Sequence, residues 1–266
     1  MCSFITINKI INDSLIEKAN KYSKYRGPDL TNVVRYQGFT FVHNLLSITG
    51  DITKQPFIDK DRDIVCVYNG EIYNSSEFGN YESDGECLID VYKQYGTKFL
   101  KHLDGEFAVV LYDFKKQIII AGCDTFATKP LWCGITSDNQ LAFASYESCL
   151  VNLGISRYEK LSPNTSYVYD FYSNLIKKNI VYEFDVKNQH KENYDDWMKA
   201  FSESIHKRTF NVRESIFLGL SSGYDSGVIA AEMKSQDINF KAYSIYAKEN
   251  RDILLQRHQM FEDSML

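Results

Sequence analysis

The sequence predicts an α+β protein in which a strand-rich region of about 180 residues precedes the beginning of an α/β unit. Two observations support this prediction. Short apolar runs that favour strands recur between turn signals over the first region, with few helical patterns among them. After residue 194 the order changes to a helix, an apolar strand, a small polar loop, a second helix and a second strand, as in a parallel β-loop-α-β unit.

The composition is that of a globular protein. Of the 266 residues, 44% are hydrophobic and 24% are charged, and the 19 Tyr and 17 Phe favour β-rich packing. The formal net charge of −5 gives no basic footprint for nucleic acid. No apolar run approaches the roughly 20 residues of a membrane span, and the N-terminus lacks a signal-peptide core. We therefore expect a cytoplasmic protein that binds neither nucleic acid nor membrane.

The cysteines do not predict a metal site. The six of them, at positions 2, 66, 87, 123, 133 and 149, are dispersed and form no C-x-x-C pair. In a cytoplasmic chain we expect them to be reduced, and most of them to lie in the core.

Cys2 combines a nucleophile and a candidate base in one residue. It follows Met1 and precedes an apolar, β-prone run over residues 3–7. If Met1 is removed, Cys2 carries its thiol beside a free α-amino group with a pKa of roughly 7.7–8.0, which suits that amine to take the thiol proton at neutral pH. The alternative interpretation is an incidental cysteine near a frayed terminus.

Asn69 and Gly70 follow a predicted strand over residues 63–68 and allow two interpretations. Asn-Gly between β-prone segments is a strong signal for a type I′ hairpin turn, because both residues tolerate positive φ. A side-chain amide beside a backbone N–H can also stabilise a tetrahedral oxyanion. The spacing alone does not decide between them.

Further along, Ser83 and Glu86 have the spacing of a capping box that opens an amphipathic helix. Asp84 then lies in the first turn, where the helix dipole favours a carboxylate, and this role suffices unless its side chain faces a ligand. A nearly continuous apolar run over residues 107–112 predicts a buried strand, with its hairpin partner at residues 116–121.

The composition changes near residues 182–193, where charged and amide side chains cluster without periodicity. We therefore predict two domains, residues 1–182 and 194–266, joined by a linker at 183–193. The elements predicted for the second domain are a helix at 194–208, a buried strand at 215–220, a helix at 228–234 and a strand at 240–246.

The polar loop at residues 221–227 connects the strand of the second domain to its helix. Such a loop binds phosphate through backbone N–H groups and hydroxyls at the helix N-terminus. It lacks the G-x-x-x-x-G-K-[ST] pattern of the usual P-loop, so the residues alone leave nucleotide binding and a plain connection both open.

The order of these motifs resembles that of the class II glutamine amidotransferases of the asparagine synthetase family. The resemblance spans nearly the whole chain, and it rests on the ordered set rather than on any one motif. The matching segments are Met1-Cys2, Arg26-Gly27-Pro28-Asp29, Leu46-Ser47-Ile48, Gln55-Pro56-Phe57, Tyr68-Asn69-Gly70-Glu71-Ile72-Tyr73-Asn74, Ser83-Asp84-Gly85-Glu86, Leu103-Asp104-Gly105-Glu106-Phe107-Ala108, Lys129-Pro130-Leu131 and Ser221 to Ser226.

The resemblance implies a fold and an activity for each domain. The first domain is expected to be an N-terminal-nucleophile αββα sandwich that hydrolyses glutamine to glutamate and ammonia. The ammonia is expected to pass through an internal tunnel to an α/β ATP-pyrophosphatase (Rossmann-like) domain. There a carboxylate acceptor, typically aspartate, is activated with ATP and amidated, and Mg²⁺ is expected only as the companion of ATP.

The resemblance also implies residue roles. Cys2 is the nucleophile with its own amine as base, and Asn69 with the Gly70 N–H forms the oxyanion hole. Glu71 and Asp84 bind the α-amino group of glutamine. The remaining implied contacts are to glutamine from Leu46, Ile48 and Asn69, and to ATP from Leu220, Ser221, Ser222, Gly223, Asp225 and Ser226.

Two positions depart from the family pattern. Leu45 stands where the family has an arginine for the α-carboxylate of glutamine, and losing that charged contact weakens binding by about 2–3 kcal/mol, roughly 30- to 150-fold. Either another cation substitutes, or the donor is not ordinary glutamine, or the glutaminase activity is poor. Ser222 stands where the family has glycine, and it is tolerable there only if its φ is negative.

The sequence also contains only the beginning of the second domain, with one helix, one β-loop-α-β unit and a charged, helix-prone stretch over residues 249–266. We therefore expect that the chain alone does not complete ATP-dependent synthesis, and that it is a truncated product or one part of a split enzyme. Two alternatives stay open: a related ligase with a different acceptor, and a non-catalytic remnant or binding subunit.

Overall fold

A computed structural model describes residues 2–49, 51–188, 190–210, 212–213, 215–260 and 264–265. The chain forms two compact units. The first comprises Met1–Ser47 and Asp51–Asp185, and the second comprises Ile48–Gly50 and Val186–Leu266. The domain limits predicted at residues 182 and 194 stay a prediction.

The first unit contains two six-stranded sheets, with strand orders β10-β8-β9-β1-β3-β2 and β12-β11-β7-β6-β5-β4. Every pairing within them is antiparallel. The strands are Ser3–Ile7 (β1), Leu30–Tyr36 (β2), Phe39–Leu45 (β3), Phe57–Asp59 (β4), Ile64–Ile72 (β5), Gly105–Asp113 (β6), Ile118–Cys123 (β7), Trp132–Ile135 (β8), Leu141–Ala144 (β9), Arg157–Lys160 (β10), Thr165–Asp170 (β11) and Leu175–Ile180 (β12).

Helices cover the outer faces of the two sheets. They are Asp13–Asn20 (α1), Cys87–Tyr95 (α2) and Glu147–Asn152 (α3), with shorter 3-10 turns at Ser23–Arg26, Ser75–Glu77, Asp84–Glu86 and Gly96–His102. The carboxylate of Glu86 accepts the N–H of Ser83 at 3.2 Å before the turn that leads into α2. The capping box predicted there is therefore confirmed.

Three apolar layers make the first unit an αββα sandwich. Residues of α1 and α3 pack with β1 and β9 on the outside of the first sheet. Residues of α2 pack with β5 and β6 on the outside of the second sheet. The inner faces meet in a fully buried layer that includes Phe4, Phe41, Val67 and Tyr112, and the Tyr112 hydroxyl donates to Thr6 Oγ1 at 2.7 Å between the sheets. The predicted α+β class and sandwich are confirmed.

Strand β5 continues through Asn69 and Gly70, so the hairpin interpretation of this pair is wrong. The two residues pair in register with Ala108 and Phe107 of β6. A Cβ on Gly70 would lie 2.0 Å from the carbonyl oxygen of Glu106, so only glycine lets the two backbones approach this closely. Gly70 therefore allows close packing of β5 against β6 and does not form a turn.

The second unit contains a small parallel sheet and three helices among the residues that the structure describes. The strands lie in the order β13-β14-β15. The elements are Asp195–Thr209 (α4), Ile216–Gly219 (β13), Tyr224–Ser235 (α5), Phe240–Tyr243 (β14), Arg251–Gln259 (α6) and Ser264–Met265 (β15).

Three predictions for this unit need correction. Strand β13 is not buried, because its side chains alternate and Phe217 is 74% exposed. Helix α5 begins at Tyr224, four residues earlier than the apolar pattern predicted, because Gly223 already has N-cap geometry. The stretch after residue 249 also adds a third strand, β15, whose backbone pairs with β14.

In the parts of the chain that the structure describes, none of the helices has the length and apolar character that a membrane crossing requires.

We predict that Gly70→Ala lowers the free energy of unfolding by about 3 kcal/mol, because the added methyl group meets backbone that cannot move aside. Gly38→Ala is the matched control: this glycine also has positive φ, yet a methyl group there would meet no atom within 4 Å, so the cost is about 1 kcal/mol. Urea unfolding of both variants measures the difference. An equal loss of unfolding free energy in the two variants would contradict the close contact between Gly70 and the backbone of Glu106.

Candidate active site

The thiol of Cys2 is buried at the start of β1 and is held by backbone groups. The Leu46 N–H donates to Cys2 Sγ at 3.3 Å, and the Leu46 carbonyl oxygen lies 3.6 Å from the same sulfur. Leu46 therefore fixes the thiol through its main chain. Its predicted contact with glutamine stays a prediction, as does the removal of Met1, which lies outside the described residues.

The environment of Cys2 keeps the thiol protonated. Burial raises the pKa of the Cys2 thiol, the Leu46 N–H and the chain's amino terminus lower it, and the carboxylates of Glu71 and Asp84 raise it further. Asp84 is hydrogen-bonded to β5, which also carries Glu71 and contacts the strand after Cys2, so three of the predicted site residues lie in one region. A base is needed to form the thiolate at neutral pH, which is the role assigned to the α-amine.

A tight turn supports the segment that holds the thiol. A Cβ on Gly27 would lie 2.1 Å from the Asn44 carbonyl oxygen, so this turn packs directly on the end of β3. The Asp29 N–H donates to the Leu45 carbonyl at 3.0 Å, and the Asp29 carboxylate accepts the Ser47 N–H at 2.8 Å. The Arg-Gly-Pro-Asp motif therefore has a structural role beside Cys2.

Leu45 lies next to Cys2. Ser3 pairs with Asn44 across β1 and β3, and Cys2 and Leu45 are the residues that adjoin this pair along the chain. Leu45 is 9% exposed. The nearby Arg26 side chain has a buried Nε that lacks a hydrogen-bond partner among the described residues. Arg26 is therefore a candidate for the cation that replaces the missing arginine.

Asn69 is 3% exposed, and its side-chain Oδ1 has no hydrogen-bond partner within the described parts of the chain. It lies on β5, which contacts β1. A buried amide without a partner costs free energy, so such a group points to a ligand or water that completes its hydrogen bonds. The open atom is the amide oxygen, which accepts a hydrogen bond and therefore calls for a donor from the ligand or water. The predicted oxyanion role, which needs the Asn69 amide N–H, stays a prediction.

Asp84 is fixed to β5 by both oxygens of its carboxylate. One oxygen accepts the Tyr68 hydroxyl at 2.6 Å and the other accepts the Ile72 N–H at 2.6 Å. Burial raises the pKa of the Asp84 carboxyl, while these hydrogen bonds oppose the rise. The carboxylate therefore has more than a helix-capping role.

Gln55 and Tyr68 are supporting residues to which sequence reasoning assigned no role. Gln55 is 3% exposed, and its Oε1 accepts the Tyr68 N–H at 2.8 Å, one residue before Asn69. The Gln-Pro-Phe motif was the available signal. It identified the segment but not its hydrogen bond to β5.

Glu71 lies opposite a buried ion pair that sequence reasoning also missed. It pairs in register with Glu106, whose carboxylate contacts Lys129 Nζ at 3.1 Å and the Tyr73 hydroxyl at 3.1 Å. Lys129 is only 6% exposed. Lys129 therefore compensates the charge of Glu106 beside the strand that carries Glu71.

Ile48 belongs to the second compact unit, where its carbonyl accepts the Arg213 N–H at 3.1 Å. Its predicted contact with glutamine stays a prediction.

The loop between β13 and α5 is a second candidate site. The hydroxyls of Ser221 and Ser226 lie 2.8 Å apart, and Ser226 Oγ accepts the Ser221 N–H at 3.0 Å. Leu220 is buried at the end of β13, and Asp225 is exposed in the first turn of α5. Ser222 does not have positive φ, which removes the conformational objection to serine at this position.

Comparison with known proteins gives a family and a fold. The model of the family described as "Glutamine amidotransferase domain" matches residues 1–183. Asparagine synthetase B [glutamine-hydrolyzing] of Escherichia coli is 29% identical over 252 residues, which cover 88% of this chain and 45% of that protein. Asparagine synthetase [glutamine-hydrolyzing] 2 of Oryza sativa is 31% identical over 159 residues, which cover 54% of this chain and 27% of that protein. The chain thus spans less than half the length of these relatives.

Among solved structures, the glutamine phosphoribosylpyrophosphate amidotransferase from B. subtilis, complexed with ADP and GMP, superposes with a TM-score of 0.56 at 14% identity. The superposition covers 96% of this chain and 70% of that one. At this identity the likeness concerns the fold alone.

We predict that the alkylation rate of Cys2 keeps rising with pH beyond the ~8.5 midpoint of a free cysteine, because burial raises the pKa of its thiol. Iodoacetamide labelling followed by mass spectrometry measures the rate. Cys2→Ser is the control and should remove the label, since Cys2 is 9% exposed and each of the other five cysteines is 5% exposed or less. An alkylation rate that levels off below pH 8.5 would contradict a raised pKa of the Cys2 thiol.

Proposed function

The chain belongs to the class II glutamine amidotransferase family, and from this premise we propose that its first unit hydrolyses glutamine to glutamate and ammonia with Cys2 as nucleophile. The observation that supports this most strongly is the grouping of a backbone-held thiol with two carboxylates. Glu71 lies on β5, Asp84 is hydrogen-bonded to that strand, and β5 contacts the strand that directly follows Cys2.

In the proposed reaction, the α-amine of Cys2 takes the thiol proton and the sulfur attacks the side-chain carboxamide carbon of glutamine. The oxyanion that forms accepts hydrogen bonds from the Asn69 amide and the Gly70 N–H. The tetrahedral intermediate then collapses, the C–N bond breaks, and the leaving nitrogen takes the proton from the ammonium group to depart as ammonia. Water hydrolyses the remaining thioester, which releases glutamate and restores the thiol.

Glu71 and Asp84 would bind the substrate's α-ammonium group. Both carboxylates lie in a partly buried region, where a substrate ammonium interacts with them more strongly than it would in water. Asp84 is fixed by two hydrogen bonds to β5, so it requires little reorganisation when glutamine binds. Leu46 and Ile48 complete the proposed glutamine contacts.

We further propose that the second unit takes part in ATP-dependent amidation of a carboxylate acceptor, typically aspartate to asparagine, in the cytoplasm. The residues that would hold ATP with Mg²⁺ are Leu220, Ser221, Ser222, Gly223, Asp225 and Ser226. The donor set suits an anion, because a carboxylate already accepts the Ser222 N–H at 2.6 Å.

We predict that the purified chain, with Met1 removed, releases glutamate from glutamine, and that Cys2→Ala abolishes the release. Asn69→Ala should lower kcat by 10²- to 10³-fold, on the order expected for one oxyanion donor, while Cys2 stays reactive toward iodoacetamide. Coupled glutamate dehydrogenase assays measure the rate, and N-terminal mass is determined on the same samples. Absence of glutamate release with a free Cys2 would refute the proposal.

We also predict that Leu45→Arg lowers KM for glutamine by about 30-fold or more, because it restores a charged partner for the substrate carboxylate. Leu45→Met is the neutral control of similar size and should leave KM nearly unchanged. Thermal unfolding verifies that both variants fold.

One result would contradict this second prediction. If Leu45→Arg folds but leaves KM unchanged while Arg26→Ala raises it, Arg26 already supplies the cation.

A further inference from the structure

The loop between β13 and α5 already holds an anion that belongs to the chain itself. The carboxylate of Glu249 accepts the Ser222 N–H at 2.6 Å and also the Ser222 hydroxyl. Glu249 lies 27 residues away along the chain, just before α6, so this is not a local turn contact. A backbone N–H and a hydroxyl beside a helix N-terminus are the donors that phosphate oxygens use.

Ser222 makes this contact stronger than the family pattern would allow. Its hydroxyl donates to Glu249 and accepts the Asn250 N–H at 3.1 Å. The family resemblance places a glycine at this position, and a glycine could offer only its backbone N–H. The departure from the family motif therefore supplies the side chain that ties the Glu249 segment to the loop.

Arg257 contacts the same loop from α6. Its guanidinium donates to the Gly223 carbonyl at 2.7 Å and also to the Ser221 carbonyl. A Cβ on Gly227 would lie 2.8 Å from the guanidinium carbon, so the small residue makes room for this side chain. The hydrogen bonds from Ser222, with a smaller contribution from Arg257, lower the pKa of the Glu249 carboxyl, which is therefore ionised at neutral pH.

We propose that Glu249 is an internal anion that occupies the pyrophosphate position of the loop Ser221–Ser226, and that a pyrophosphate-bearing nucleotide binds by displacing it. The proposal rests on the ATP-binding part of the proposed function and is independent of glutamine hydrolysis. Its structural basis is the contact between the Glu249 carboxylate and Ser222.

Displacement would reach beyond the loop. Asn250 caps α6 by accepting the N–H groups of Asp252 and Ile253, and its own N–H is held by Ser222. Releasing Glu249 therefore also frees the start of α6 from the loop. Nucleotide binding to the loop and the position of α6 are therefore coupled. Binding favours the arrangement in which the start of α6 is released from the loop, and that arrangement in turn favours binding.

The test compares binding of inorganic pyrophosphate and of Mg·ATP to the full chain by isothermal titration calorimetry. Glu249→Ala removes the competing anion and should tighten pyrophosphate binding by about tenfold or more. Ser222→Gly removes the hydroxyl that holds Glu249 but also one donor for phosphate, so it should tighten binding by less than Glu249→Ala does. Glu203→Gln, an exposed charge change on α4 in the same unit, is the control and should bind like the unchanged chain.

The outcomes separate this inference from the proposed function. Tighter binding in both variants but not in the control supports the displacement. Equal binding in all four proteins overturns the displacement while leaving the loop as an anion site. Absence of pyrophosphate and ATP binding in every protein overturns both the displacement and the ATP assignment. Glutamate release, measured in parallel, reports on the first unit alone.

Discussion

The geometry of the first unit depends on the pairing of β1 with two neighbours. This strand lies between β3 and β9, so the chain begins in the middle of a sheet rather than at its edge. A terminus normally frays because few contacts hold it. Here the strand that directly follows Cys2 has a fixed register with β3, the Cys2 thiol is held by Leu46, and the buried face of that strand is covered by the second sheet. Cys2 is therefore held in place by the strand that follows it and by Leu46.

The close contact of β5 with β6 likewise fixes the position of β5, the strand that carries the proposed oxyanion donors Asn69 and Gly70. Gly70 and Gly105 each face a carbonyl of the partner strand at a distance that excludes a side chain. Gln55 and Asp84 then hold β5 from the side. The proposed oxyanion donors therefore lie on the most constrained part of the sheet, where they need little reorganisation. The second unit differs, because its apolar cluster is small and is centred on Leu220, Ala230 and Ala242.

Local patterns predicted much of this fold because the relevant signals were themselves local. The capping box at Ser83, the apolar run of β6 and the strand that follows Cys2 were identified from adjacent residues. The predictions failed where distant backbone decides the structure. Asn69-Gly70 has the local signature of a turn, but its conformation is set by Glu106, which lies more than thirty positions away. The ion pair of Lys129 and the contact of Glu249 with Ser222 are equally non-local, and no spacing rule predicts them.

The raised pKa of the Cys2 thiol also affects how readily this cysteine is oxidised. Peroxides attack thiolates far faster than thiols, so a cysteine that stays protonated at rest is slow to form sulfenic acid. Burial and the two nearby carboxylates raise the pKa of the Cys2 thiol and so favour its less reactive, protonated form. The same negative charges that suit the site to an amino acid would thus also protect it against oxidative inactivation between turnovers.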